Sequence, residues 1–248
     1  KALGMETVAV YASIDALSLH TRMTTRARSL SHDDVAAYLD GAEMIDVAKQ
    51  MDCDCIHPGY GFLSENARFA EMCAAEGIMF VGPPASALTL FGNKVMARSL
   101  AQSCNIPVVP GSLATLSTVA EAQEISEKVA YPVMLKAAAG GGGRGLRAVA
   151  SAEGLKEAFE RCRSEAMAAF GEDDVFMEKL IERPRHIEVQ ILADAMGETI
   201  HLYERDCSVQ IHNQKVVEIA PAADLEETLR QKMVDDAIKF VKAANYVN

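Results

Sequence analysis

The sequence predicts an α/β protein, with a first half built around a parallel sheet and a second half of α+β texture. Three observations carry that reading. Short apolar runs alternate with helical stretches from Val8 to Ser103, as strands feeding crossover helices do. Beyond Pro110-Gly111 strands follow one another directly, and Ile187, Val189 and Ile191 alternate with His186, Glu188 and Gln190. Half of the 248 residues are hydrophobic, enough to repay the ordering of a substantial core.

Local patterns justify each element in turn. Val8-Ala9-Val10-Tyr11 is a short apolar strand, and Val35, Tyr38, Leu39, Ala42 and Ile45 recur at helical spacing across residues 35–49. Residues 53–56 read as a buried strand leading into His57-Pro58-Gly59-Tyr60-Gly61, a loop kept irregular by its glycines and proline. Ser64 is placed to cap a helix that reaches Ala75 and ends at Gly77. Residues 78–81 form the next strand, and helices follow at 86–91 and 94–103. This first unit looks short for a complete doubly wound domain, so an earlier strand is expected to be missing.

In the second half, a helix over 118–129 precedes a strand at 133–136. Glycines 140–143 and Gly145 separate that strand from another at 147–149. A helix over 153–170 and a strand at Val175–Lys179 come next. Asp194 to Gly197 turn the chain from the alternating strand into 199–205, an antiparallel hairpin. A strand at 216–219 and a helix over 225–243 complete the order.

Composition excludes whole classes of function. No apolar run approaches the roughly 20 residues that span a bilayer, so no membrane partner is expected. Lys and Arg total 24 against 35 Asp and Glu, a formal charge of −11 that offers no general basic face to nucleic acid. The six cysteines are scattered, which favours a reduced, intracellular protein. Cys53 and Cys55 have no partner pair at metal-finger spacing, and read as a buried pair of small thiols on one strand face. The opening Lys1-Ala2-Leu3-Gly4 has no signal-type stretch.

The glycine run lies between two strands, so it is a hairpin loop and not the strand-to-helix turn of a dinucleotide fingerprint or a Walker loop. Glycines without Cβ atoms let backbone N–H groups close around phosphate oxygens, and Lys136 brings a strand-borne amine beside them. The alternative is a plain surface hairpin; Lys136 tips the balance to nucleotide binding. Lys94, at a helix start, is either a second phosphate cation or a surface lysine. Arg144 and Arg147 carry the same two readings. The face of His186, Glu188 and Gln190 is a cleft wall or an ordinary solvated face, and so are Gln210, Asn213 and Lys215. Glu204, Arg205 and Asp206 suggest a structural ion network. No catalytic triad, HExxH motif or pair of metal carboxylates follows from spacing.

From His57 to Asn66, HPGYGFLSEN, the chain resembles the biotin carboxylase family. The likeness continues through Phe91-Gly-Asn-Lys94, Pro107 to Gly111, Lys136 with its glycine loop, and Phe176-Met-Glu-Lys179. It is strongest in Arg183 to Ile191 and His201 to Gln210, whose wording is most like the biotin carboxylase domains of pyruvate carboxylases, and it extends through Gln214 to Pro221.

The resemblance implies an ATP-grasp enzyme, a ligase that uses MgATP to activate bicarbonate and carboxylates the N1 nitrogen of biotin. The family's phosphate lysines match Lys94 and Lys136, and its glycine flap matches Gly141, Gly142 and Gly143. The adenine hinge matches Glu178, Lys179 and Ile181, and the nucleotide-cleft histidine matches His186. The catalytic cleft matches Gln210, Asn213 and Lys215.

Implied cofactors and substrates are ATP, Mg²⁺, bicarbonate and biotin as acceptor. Implied partners are a biotinylated carrier domain, a carboxyltransferase domain and a second copy in a homodimer. The fold implied is a Rossmann-like pre-ATP-grasp domain at 1–104, a helical linker at 105–130, a B lid at 131–196 and the start of a C domain at 197–248. The family's first strand and its Mg²⁺ carboxylates are expected outside these residues, so the chain is expected to be an incomplete, inactive part. Ile211 and His212 stand where the family carries two arginines. An acyl-CoA carboxylase subunit and a non-catalytic nucleotide-binding or scaffolding module are the alternatives. The compartment expected is the cytoplasm or the mitochondrial matrix.

Overall fold

A computed structural model describes residues 1–138, 145–211 and 214–248. The chain divides into two compact units, Lys1–Thr89 with Val247–Asn248, and Leu90–Tyr246.

In the first unit β1 (Val8–Tyr11) is followed by the short helix α1 (Leu19–Met23) and by β2 (Arg26–Ser29), which pairs with β1 in parallel. The run expected as one helix over 35–49 is a 3-10 turn, Val35–Leu39, followed by α2 (Gly41–Gln50). Asp40 makes the break, because its carboxylate accepts from the Glu43 backbone N–H at 3.0 Å and starts a new helix. Then β3 (Cys55–Ile56) pairs in parallel with β4 (Met79–Phe80), across α3 (Ala67–Ala75). The cap of α3 is Asn66, whose side chain accepts from Phe69 N at 2.9 Å. Ser64 instead closes the preceding turn, donating its N–H to Gly61 O.

The parallel sheet is thus present as two two-stranded pieces. Apolar side chains of α2 and α3 fill the space beside the second piece, where Ile45, Phe69, Cys73 and Ile78 are buried. Cys53 lies ahead of β3 and is half-buried, while Cys55 is exposed. The expected buried thiol pair fails because β3 is two residues long and turns Cys55 outward. A cavity of about 500 Å³ in this unit, lined in part by Leu39, Leu63, Phe69 and Met72, holds none of the candidate catalytic or nucleotide-binding residues.

The chain passes into the second unit within α4 (Ala85–Gly92). The next helix, α5 (Lys94–Ser103), is capped by Asn93, which accepts from Val95 N and Met96 N. A reciprocal capping box between Thr118 and Glu121 opens α6 (Val119–Val129). Strands β5 (Val133–Ala137) and β6 (Leu146–Val149) form the hairpin around the glycine run, whose residues 139–144 lie outside the described ones. After α7 (Leu155–Phe170), which ends at Gly171 with φ +77°, β7 (Val175–Lys179) pairs with the other side of β5. Val133, Leu135, Val175 and Met177 share the inner face of this antiparallel sheet and pack with Leu116, Leu155, Phe159 and Cys162. The alternation leaves Lys136 and Glu178 on the other face.

A second antiparallel sheet follows, from β8 (Ile187–Ala193), β9 (Thr199–Ile211) and β10 (Gln214–Ile219), with β9 in the middle. The expected 199–205 strand runs six residues further, because β10 returns along it and supplies the missing partner. The last helix, α8 (Glu227–Ala243), is fastened beneath by Arg230, whose Nε donates to buried Glu204 at 2.9 Å. Among the described residues no helix is long and apolar enough to cross a membrane.

Candidate functional site

The sequence-predicted residues fall into two groups, one on each sheet of the second unit. The first is built on β5 and β7. Lys136 faces Phe176 in the register and Glu178 faces Met134, so the two charged side chains are diagonal neighbours and form an ion pair. Lys94, at the start of α5, belongs to the same electrostatic neighbourhood. Although the residue is exposed, burial of its charge lowers its pKa, the Lys136 ammonium lowers it further, and the Glu178 carboxylate opposes both.

Two ammonium groups and one carboxylate are thus electrostatic neighbours, with Lys136 and Glu178 in direct contact.

The hinge beyond Glu178 is held from both sides. Lys179 N donates to Pro110 O and Ser112 N to Met177 O, each at 2.7 Å. Gly111 makes this approach possible, because a Cβ there would stand 2.3 Å from Met177 O. The Lys179 ammonium turns back to the carbonyls of Ala130 and Tyr131, at 3.1 and 2.8 Å. Ile181 is half-exposed beyond the strand end.

The second group is built on β8, β9 and β10. His186 is anchored through its backbone N–H, which donates to Ser208 Oγ at 2.8 Å. The Gln210 amide donates to His186 Nδ1 and to Cys207 O, both at 2.8 Å. An amide N–H can only donate, so Nδ1 is the acceptor of this hydrogen bond. Nε2 lies 3.7 Å from Glu188 Oε2. Glu188 also pairs with Lys215 and Arg205. Burial works to raise the Glu188 pKa, but hydrogen bonds from Lys215 and Arg205 outweigh it and hold the carboxyl at about 2. In turn the Glu188 hydrogen bond raises the Lys215 pKa.

The sequence placed His186, Gln210 and Lys215 here, and gave Glu188 a place on the strand face without a role. It missed the centrality of Glu188, although alternation alone sets it between His186 and Gln190.

Glu204, Arg205 and Asp206 do not form the expected network with one another. Successive strand residues face opposite ways, so Glu204 meets Arg230, Arg205 meets Glu188 and Asp206 meets Arg185. Arg147 pairs with Glu165 of α7. Gly141, Gly142, Gly143, Arg144 and Asn213 lie outside the described residues.

One trio places possible metal ligands together, Glu188, Cys207 and Glu218, with their ligand atoms within 4.8 Å of one another. It does not fit Mg²⁺, which takes oxygen ligands. The Cys207 thiol has a raised pKa, chiefly from burial, and both carboxylates already face Arg205, with Lys215 on Glu188.

An antiparallel sheet of β6, β5 and β7 built on a hairpin, followed by a second antiparallel sheet of β10, β9 and β8, fits an ATP-grasp architecture. Residues 93–248 match the family model of the carbamoyl-phosphate synthase L chain, ATP binding domain, and residues 1–88 match that of the biotin carboxylase N-terminal domain. The chain belongs to the biotin carboxylase family.

Pyruvate carboxylase of Bacillus subtilis is 47% identical over 248 residues, covering 99% of this chain and 22% of that protein. The chain therefore spans about a fifth of that relative's length. Among solved structures, the biotin carboxylase–β-γ-ATP complex from Campylobacter jejuni superposes with a TM-score of 0.96 at 40% identity, covering 100% of this chain and 56% of that one. The biotin carboxylase domain dimer of the Hydrogenobacter thermophilus 2-oxoglutarate carboxylase, in complex with MgADP, ADP and bicarbonate, gives 0.95 at 41%, covering 100% and 55%.

Proposed function

We propose that this chain supplies the nucleotide-binding part of a biotin carboxylase half-reaction, in a carboxylase of the pyruvate carboxylase type. The observation that carries the reading is the Lys136–Glu178 ion pair on the outer face of β5 and β7, with the Lys94 ammonium in its electrostatic neighbourhood. Relatives of the same fold support it through the ligands they hold, β-γ-ATP in one and MgADP with bicarbonate in another.

In this reading Lys94 and Lys136 hold the phosphates of ATP, Gly141, Gly142 and Gly143 close over them, and the backbone from Glu178 through Lys179 to Ile181 meets the adenine. The Lys179 N–H is already spent on Pro110 O, which leaves its carbonyl for the base. His186, Gln210, Asn213 and Lys215 face the reacting end of the cleft. There a bicarbonate oxygen attacks the γ-phosphorus and ADP leaves; the carboxyphosphate formed releases CO₂ and phosphate, and biotin N1 exchanges its proton for CO₂. Mg²⁺, when bound, neutralises phosphate charge. The described residues offer it no fitting ligand set, and no step here runs through it. A biotinylated carrier domain, a carboxyltransferase domain and a second copy of the chain are the partners this reading requires.

Calorimetric titration of the chain with ATP, with and without Mg²⁺, tests the assignment. Saturable binding that weakens in Lys136→Ala is the expected result. A folded chain that takes up no ATP would overturn it.

A further inference from the structure

Glu188 divides its two oxygens between two cations. Arg205 Nε and Nη2 both donate to Oε1, at 3.0 and 2.5 Å, while Lys215 Nζ donates to Oε2. The third arm of the guanidinium, Nη1, donates to Gln190 Oε1 at 2.9 Å, so the plane of the fork is tied at both ends. Glu188 and Arg205 are direct register partners on β8 and β9, and Gln190 stands two residues along the same strand face as Glu188. Neutralising one carboxylate needs only one cation. A second, planar cation that occupies one oxygen leaves the other oxygen free to point at Lys215.

Resting on the proposed carboxylase reading, we infer that Arg205 is a positioning residue of this site: it aims Oε2 of Glu188 at the Lys215 ammonium and so fixes where that ammonium stands. Arg205 itself is only about a third exposed, and its side chain is committed to Glu188, Gln190 and Glu218 on the sheet face. It acts through Glu188. Lysine at this position would keep the charge but lose the three-point fork, so charge alone does not substitute for it.

The test is a double-mutant cycle in the full-length protein, with Arg205→Gln, Glu188→Gln and the pair, read as biotin-dependent ATP cleavage. Arg205→Gln is expected to lower kcat by about tenfold or more, with KM for ATP within about twofold. The double variant should be no slower than Glu188→Gln alone. Losses that multiply in the double variant would overturn the inference, because Arg205 would then act independently of Glu188. If Arg205→Gln does not fold, Arg205→Lys takes its place in the cycle with the same expectations.

A readout independent of turnover is competitive trace acetylation of the same proteins, followed by peptide mass spectrometry. Lys215 should become several-fold more reactive in Arg205→Gln while Lys136 stays unchanged; an unchanged Lys215 counts against the inference. Absence of biotin-dependent cleavage in the unsubstituted protein would instead remove the carboxylase reading, and the acetylation arm would still decide the role of Arg205.

Discussion

Lys136 and Glu178 meet across β5 and β7 on the face turned away from the core, as a diagonal pair that closes an ion pair. On the proposed reading a phosphate of ATP replaces the carboxylate as the partner of the Lys136 ammonium, with Lys94 near enough to feel both charges. Lys136→Ala should therefore weaken ATP binding by about tenfold or more, the worth of one charge-assisted hydrogen bond. Glu178→Gln should weaken it less, since no phosphate contact is removed. Titration calorimetry on the two variants checks the order.

The second sheet predicts an acid limb in stability. Glu188 is held at about 2 from an ordinary 4.5. Hydrogen bonds from Ser208 and Arg185 likewise hold Asp206 at about 2 from 3.8. Both folded values lie below the unfolded ones, so the stabilisation is fully present above about pH 4.5 and is lost as pH falls toward 2. Calorimetric Tm values measured across that window should fall, and fall less steeply in Glu188→Gln. An identical slope in the variant would show that the carboxylate is not shifted.

Gly111 is a test of close packing behind the hinge. An added Cβ would meet Met177 O at 2.3 Å and Glu178 Cα at 2.8 Å, both backbone atoms that cannot swing aside. Gly111→Ala should cost about 1–3 kcal/mol in urea unfolding through overpacking. Gly92→Ala, where nothing lies within 4 Å of the new methyl, should stay within about 0.5 kcal/mol of the parent. Equal effects at the two glycines would mean that backbone entropy, not the β7 contact, sets the cost.

How legible these features were depends on whether the local chain or a distant partner decides them. Val175–Lys179 and Lys94–Ser103 are read from the sequence with their observed bounds, because an apolar run and an Asn cap are local signals. The strand Arg26–Ser29 escapes, since it is exposed and polar and exists only through pairing with Val8–Tyr11. Asn66 displaces Ser64 as a helix cap through a turn that composition does not specify. The strand face of His186, Glu188 and Gln190 is legible from alternation. That Arg205 and not Asp206 meets Glu188 is not, because the β8–β9 register is set by the pairing, which shifts between Val189 and Ile191.

The thiols should sort by burial. Cys55 is exposed, whereas Cys73, Cys162 and Cys207 are buried and have raised pKa values, with Cys162 pushed up to about 11 by burial and by Glu165. Only the thiolate reacts appreciably, so iodoacetamide near pH 8 should label Cys55 first and leave those three untouched until denaturant is added. Peptide mass spectrometry of the time course gives the order. Early labelling of Cys207 in the folded protein would contradict its burial between Glu188 and Glu218.

Glu204 is 1% exposed and accepts at one oxygen from Arg230 Nε and from Ala222 N, at 2.9 and 3.1 Å. Its other oxygen has no partner among the described residues, and Arg230 is the cation that pairs with the carboxylate. Burial alone would raise its pKa, yet the hydrogen bonds and the Arg230 charge win and lower it, which keeps the group ionised. Removing the cation while leaving the anion is the costly change, because the buried charge then lacks any counter-ion. Arg230→Met should lower Tm by roughly 5 °C or more. Arg230→Met combined with Glu204→Leu should recover much of that loss, since an apolar pair no longer carries a desolvated charge. Thermal unfolding of the two variants separates the outcomes: a double variant as unstable as the single one would mean that Arg230 fastens α8 through its contact with the Ala222 carbonyl, and not through Glu204.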